Sequence, residues 1–251
     1  MSQFVFGTGQ LFATPVGGGA PLRFGALQDV SVDFSGDVKQ LFGQYQFALD
    51  TARGKTKIEW KASTGNIDVE AFNQIFFGET VDTGNQLIQV INENGGAIPA
   101  TPFQITATHG ADFVMDLGVY DAADASPFKQ VAATPGPGEY TVSGAGVYTF
   151  NTADTGKVAL LNYLWEDSAT GGSLDIGNQL MGNTPKFQLV LSQNYDGKYF
   201  TLLLYSNVAD KLSLPLKMDD YLLAELSGQS MADAANRVAR ITTTSIAGGG
   251  N

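Results

Sequence analysis

Residues 44–61, QYQFALDTARGKTKIEWK, decide the fold class. Tyr45, Phe47 and Leu49 alternate with Gln44, Gln46 and Asp50, and after Ala52, Arg53 and Gly54 a second run alternates Ile58 and Trp60 with Lys57, Glu59 and Lys61. A period of two is that of a strand, which sends successive side chains to opposite faces. Two such runs around a break that holds glycine predict a β-hairpin with one wet face.

Outward from that hairpin the pattern changes. Asn66 is a good N-cap, Asp68 and Glu70 follow where carboxylates favour a helix start, and Ile67, Ala71 and Ile75 recur at helical spacing with Phe72 and Phe76 beside them. With Gly78 as the stop, the spacing predicts a short amphipathic helix over 67–77 whose apolar stripe packs on a sheet. Short strands are expected at 87–91, 103–108 and 112–117, separated by Asn94-Gly95-Gly96 and by the Pro/Gly run 134–138. Residues 140–142 and 147–150 flank Ser143-Gly144-Ala145-Gly146 and read as a second hairpin.

Residues 158–165 are apolar on both faces apart from Asn162, and 187–191 with 199–205 are similarly dense around the turn 194–197, so these strands are central or sandwiched. A helix is expected over 217–226, with Asp219 and Asp220 early and Gly228 at its end, and a strand over 237–245. Ser230 with Asp233 offers an alternative helix start. Strands with isolated helices, lacking regular alternation, indicate a mainly β fold: a β-sandwich or barrel with one or two flanking α-helices. Residues 1–26, rich in Gly, Phe, Thr and Pro, read either as an arm ordering against something else or as a frayed terminus. Residues 27–251 form the main domain, with 94–138 as a loop or insertion.

Composition narrows the function classes. The chain has 251 residues, 14 Lys+Arg against 25 Asp+Glu and a net charge of −11, which opposes a sequence-independent grip on phosphate backbones. There is no cysteine, so disulfides, thiolate nucleophiles and Cys-ligated metals are excluded. The N-terminus has neither a basic n-region nor an apolar h-region, and no apolar run approaches the roughly 20 residues that span a bilayer. A soluble protein made in a cytoplasm is expected.

Catalytic constellations are equally scarce. The single histidine, His109, beside Gly110, reads as a surface residue, since it lacks a second His or any Cys for a zinc site or a Cys–His pair. Asp219 with Asp220, and the set Asp116, Asp121 and Asp124, are carboxylate groupings, but adjacent acids at a helix start do not face each other across a cleft. Gly7-Thr8-Gly9 and Gly17-Gly18-Gly19 lack the spacing and the lysine of a phosphate loop, and 154–156 and 175–177 lack the acidic ladder of a calcium loop. Trp60 and Trp165 fall in predicted strands and are expected in a core or interface. No cofactor, no metal site and no enzymatic activity are expected.

The order of motifs carries a resemblance. Residues 25–35 (GALQDVSVDFS) lead to 39–43 (KQLFG), to the hairpin with 54–58 (GKTKI) and to the helix ending at Phe77-Gly78. Then come 140–142 (YTV), 146–150 (GVYTF), 153–156 (ADTG) and 158–163, followed by 185–189 (PKFQL), 195–198 (YDGK) and 214–217 (LPLK). In this order the chain resembles the major tail, or tail tube, proteins of tailed bacteriophages, with the stretch 94–138 matching least well.

That resemblance implies a β-sandwich with a flanking helix, six copies of which close a ring whose inner wall is a continuous barrel, with rings stacking through loops and a terminal arm. It implies a structural virion subunit, assembled in the host cytoplasm, whose partners are further copies and other tail proteins: tape measure, terminator and, in a contractile tail, sheath. DNA passes through without specific binding. The acidic balance then suggests carboxylates on the pore wall, with Asp50 and Glu59 as lumen-facing candidates, although Lys57 and Lys61 share their face. Tyr45, Phe47, Ile58 and Trp60 are the candidates for a self-assembly hairpin. The alternatives are an inner-tube protein of a contractile injection or type VI-like secretion system, a carbohydrate-binding or fibre β-sandwich module, and a hydrolase with an unrecognised site.

Overall fold

The computed structural model describes residues 4–182 and 184–244. The chain divides into two compact units, residues 1–81 with 174–251, and residues 82–173. Strands β1 (Gln10–Pro15), β2 (Leu22–Arg23), β3 (Leu27–Phe42) and β4 (Ala48–Thr64), helix α1 (Val69–Phe72) and strand β5 (Val81–Thr83) come first. Strands β6 (Gln86–Ala97), β7 (Gln104–Thr106), β8 (Phe113–Asp121), β9 (Pro127–Gln130), β10 (Glu139–Val142), β11 (Val147–Phe150) and β12 (Val158–Asp167) build the second unit. Strand β13 (Gly172–Leu174) pairs with β5 as the chain returns, and β14 (Phe187–Tyr195), β15 (Lys198–Ser213), β16 (Ala224–Met231) and β17 (Ala239–Thr243) complete the first unit. The protein is mainly β.

In the first unit the strands run β2-β1-β14-β15-β16-β4-β3, with β17 beside β15 at Phe200–Leu204 and β16 beside it from Ser206 to Ser213. Cross-strand partners share a face, so the register sorts the side chains. Val30, Ala62, Leu226 and Leu212 form one row of the inner face, and Val32, Trp60, Gly228 and Ala209 the next. On the outer face lie the rows Asp29, Ser63 and Glu225, then Ser31, Lys61, Ser227 and Lys211, then Asp33, Glu59 and Gln229. The inner rows join Leu11, Ala13, Phe187, Leu189, Leu202 and Leu204 in one core.

Gly228 lets that core close. A Cβ there would lie 2.1 Å from the Val208 carbonyl oxygen and 2.5 Å from the Trp60 ring, so only glycine leaves room for the indole to lie across β16. Asp68 caps α1, accepting from the amides of Glu70 at 3.0 Å and Ala71 at 3.3 Å, and a π-helical turn, Asn73–Phe77, carries the chain to Gly78 at φ 71°. Phe72 and Ile75 are the apolar stripe, both buried in the same core.

The second unit is a curled sheet of order β6-β12-β8-β9-β10-β11-β7, antiparallel except for the parallel pair β9–β10. Its two end strands nearly meet: a Cβ on Gly95 of β6 would lie 2.9 Å from the Ile105 side chain on β7. Val119, Phe128, Tyr140, Tyr148, Phe150, Leu161 and Tyr163 point inward and fill it. The apolar run 158–165 is strand β12, an interior strand paired on both sides by β6 and β8, which agrees with its two-faced hydrophobicity.

Several expectations are corrected. The break Ala52-Arg53-Gly54 is not a turn: β4 runs through it with a bulge, since Gly36 faces Thr56 while Val38 faces Arg53, and the reversal falls at residues 43–47. Asn94-Gly95-Gly96 likewise lies inside β6: Gly95 marks a close approach to Ile105 and Ala159, and Gly96, at φ 80° in open space, falls in the bulge between Asn94 and Ala97, so neither marks chain reversal. The helix expected over 217–226 is absent: residues 217–220 turn, and Ala224 to Gly228 alternate between buried and more exposed positions as part of β16. Ser230 sits in β16 and donates to Asn207 Oδ1 at 2.7 Å, while Asp233 closes a turn on Arg237. The first helix starts from Asp68, not Asn66. Residues 10–15 of the expected arm form β1 on β14, with Leu11 and Ala13 buried, and residues 94–138 contain strands of the second unit. The strand expected over 237–245 is β17, and Ser245 lies outside the described residues.

Candidate assembly surface

The β3–β4 ribbon outgrows the core that supports it. Its last row with a buried member pairs Phe34 with Ile58, where Ile58 is buried and Phe34 is 52% exposed. Every residue from 35 to 57 is exposed except Ala48, which is half-buried. At about 3.3 Å per residue, the eight residues from Phe34 to Phe42 carry β3 roughly 27 Å past that row. Along the extension Val38, Leu41, Phe42, Tyr45, Phe47 and Leu49 stand exposed, Phe47 at 83%. They lie on both faces of the ribbon and at its tip, and exposed apolar surface of this extent marks an interaction site or an aggregation hazard.

The ribbon is also the edge of its sheet. Among the described residues no strand pairs with the outer side of β3, all 16 residues of it. Unpaired edge amides and carbonyls are a template for another strand.

The candidates named from sequence separate into two environments. Tyr45 and Phe47 are at the exposed tip, whereas Ile58 and Trp60 are buried in the first unit, 7% and 2% exposed, where they serve the core. Asp50 pairs with Leu41 and Glu59 with Asp33, and both β3 partners are odd-numbered, so the two acids share one face of the ribbon. They are far apart along it, and Asp50 is exposed while Glu59 is half-buried. Glu59 accepts from Lys57 Nζ at 2.9 Å, and that hydrogen bond, with the carboxylate's charge, raises the Lys57 pKa. Asp210, bonded to the Ser227 hydroxyl at 2.6 Å, adds to the same outer face, where Asp29, Asp33, Glu59, Asp210 and Glu225 outnumber Lys57, Lys61 and Lys211.

Elsewhere the polar groups tie down structure. Asp116 accepts from the hydroxyls of Tyr140 and Tyr148, the latter at 3.0 Å, inside the second unit. His109 is half-buried, its ring stacked on Trp165 at 3.8 Å and 6°, so it is not the free surface residue expected. Asp121 and Asp124 accept backbone amides in the turn after β8, and Asp220 pairs with Lys217 at 3.7 Å. Among the described residues no group of three or more His, Cys, Asp or Glu is placed to hold a metal, and no helix is long and apolar enough to cross a membrane.

No model of a known protein family matches the chain, and no curated protein matches it.

Sequence reasoning missed two parts of it. Val38, Leu41 and Phe42 extend the apolar surface on β3, and the alternation of Val30, Val32 and Phe34 with Asp29, Ser31 and Asp33 was the signal that a strand began there. The loop between β15 and β16 leaves Leu216, Met218 and Tyr221 exposed at 85%, 98% and 87%. Its helix-like caps had concealed it.

Proposed function

We propose that this chain is a structural subunit that assembles with copies of itself into the tube of a phage tail, rings of six stacking into a conduit for DNA. The observation that carries the reading is the β3–β4 ribbon, a free edge strand extended beyond its core and lined with exposed apolar residues. A monomer gains nothing from such a ribbon, which costs conformational entropy and invites aggregation. Pairing between copies satisfies the edge, and cyclic closure limits the growth of the sheet. The outer face, with its excess of carboxylates, lines the conduit and repels phosphate at close range.

Negative-stain microscopy with light scattering on the purified protein tests the reading. Rings with a central hole, or tubes built of them, are expected. A persistent monomer, in particular one that binds glycans, overturns it.

A further inference from the structure

The sheet of the first unit carries exposed apolar residues at both of its ends, and the two ends differ in charge. At one end is the ribbon tip, with Phe42 opposite Ala48 and Tyr45 and Phe47 between them. At the other, Thr64 faces both Leu27 and Ala224, so the chain between Ser213 and Ala224 emerges there, with Leu216, Met218 and Tyr221 exposed. A Cβ on Gly65 would lie 3.6 Å from Leu223, which places the start of the α1 segment beside this loop.

The ribbon from 35 to 57 holds Lys39, Arg53, Lys55 and Lys57 against Asp37 and Asp50, a basic stretch in a chain of net charge −11. The opposite end holds Asp68, Glu70, Asp219 and Asp220 against Arg23, which lines one depression with Asp68 and Thr64, and Lys217. One end is apolar and basic, the other apolar and acidic.

We infer that the occupant of the 214–221 loop is the ribbon of a second copy of this chain. The apolar tip lies against Leu216, Met218 and Tyr221, and the basic shaft lies along Asp68, Glu70, Asp219 and Asp220. Two different patches at opposite ends of one sheet make a heterologous, head-to-tail contact, which propagates along an axis and does not close on itself as a symmetric dimer would. Like ends repel and unlike ends attract, so the charges set polarity as well as register. This inference rests on the tube reading and specifies which surfaces join successive rings.

The test uses full-length chains altered only at exposed positions: a tip variant, Tyr45→Asp with Phe47→Asp, and a loop variant, Leu216→Asp with Met218→Asp. Each alone is expected to form rings that do not stack. Mixed together they retain one sound junction, the loop of the first with the tip of the second, and are expected to stop at ring pairs. Arg53→Glu with Lys55→Glu is expected to abolish stacking, and adding Asp219→Lys with Asp220→Lys to the same chain to restore it. Loop-variant rings that stack as the unaltered protein does overturn this inference and leave the tube reading standing. Unaltered protein that never forms rings overturns the tube reading, and this one with it.

Discussion

Trp60 on β4 meets Phe187 on β14 edge to face, ring centroids 5.7 Å apart at 81°, although β15 and β16 lie between their strands. Three strand steps in a flat sheet span about 14 Å. The sheet must curl, and the indole must cross the gap that Gly228 leaves. Trp60→Ala is therefore expected to destabilise the first unit by about 3–5 kcal/mol. Trp60→Phe should cost clearly less, because the buried indole Nε1 has no hydrogen-bond partner and its loss removes an unsatisfied donor. Gly228→Ala drives a methyl group into the Val208 carbonyl and the ring, and should cost about 1–3 kcal/mol. Urea unfolding followed by far-ultraviolet circular dichroism measures all three, since two of the variants lack the first unit's tryptophan; equal stability of Trp60→Phe and Trp60→Ala would contradict the packing argument.

Much of this was legible in the sequence where side chains alternate against a core, as at Ile58 and Trp60, or where hydrophobicity continues on both faces, as in β12. Turns read from glycine were less secure. Gly54 and Gly95 mark a bulge and a close approach inside long strands, and local composition does not distinguish these from chain reversal. The segment 217–226 carries helix-start acids, yet pairing of Ala224 and Leu226 with Thr64 and Ala62 outweighs local propensity. Tyr45 and Phe47 alternate with polar residues as a strand does, yet they lie in the reversal at residues 43–47, and local pattern alone does not distinguish the two.

Tyr140, Tyr148 and Tyr163 should make the second unit sensitive to alkali. Burial first, and then Asp116, holds the Tyr140 and Tyr148 hydroxyls protonated well above the usual phenol range. Burial and the bond to Glu93 push Tyr163 up to about 12. Their folded pKa values exceed the unfolded value of about 10, so the stability they contribute is present below pH ~10 and is lost as pH rises through the folded values. Absorbance at 295 nm should show these three of the nine tyrosines ionising only at about pH 12 and above, or together with unfolding. Asp116→Ala should bring Tyr140 and Tyr148 down toward the ordinary range; an unchanged titration would count against the network.

Acid acts on the same unit through Glu93. Burial pushes its carboxyl up, but hydrogen bonds from Tyr163 and from the amide and hydroxyl of Thr108 outweigh that and hold its pKa below the ordinary value. A depressed folded pKa contributes stability above the unfolded value that is lost as pH falls through the folded one. Glu93→Gln should be less stable at neutral pH and should flatten the acid limb of the unfolding curve, read by thermal melts between pH 2 and pH 7. A parallel shift of the whole curve would assign the loss to packing instead.

Asn162 fixes the bulges on both sides of β12. Its Oδ1 accepts the Asn92 amide at 2.8 Å, its Nδ2 donates to the Gly118 carbonyl at 3.0 Å, and both partners have positive φ, 55° and 110°. Asn162→Leu leaves two backbone groups unpaired beside strained residues, at a cost of about 1–3 kcal/mol. Hydrogen exchange at Asn92 should rise locally; protection equal to that of the unaltered protein would show that the side chain is not what holds the bulge.

Asp33 and Glu59 face each other across β3 and β4 on the acidic outer face, a like-charge pair that weakens the ribbon's root. The pair makes sense if the face has a use that outweighs the loss, as a conduit wall repelling phosphate does. Asp33→Lys converts it to an attractive cross-strand pair and should stabilise the monomer by about 0.2–1 kcal/mol in a thermal melt. In the proposed tube the same change, repeated around every ring, would turn a repelling wall toward attraction. Assembled tubes of the variant should retain short DNA duplexes at low ionic strength and release them as salt rises, whereas unaltered tubes retain none. Equal DNA retention by both, with the monomer stabilised as expected, would place the carboxylate face away from the bore.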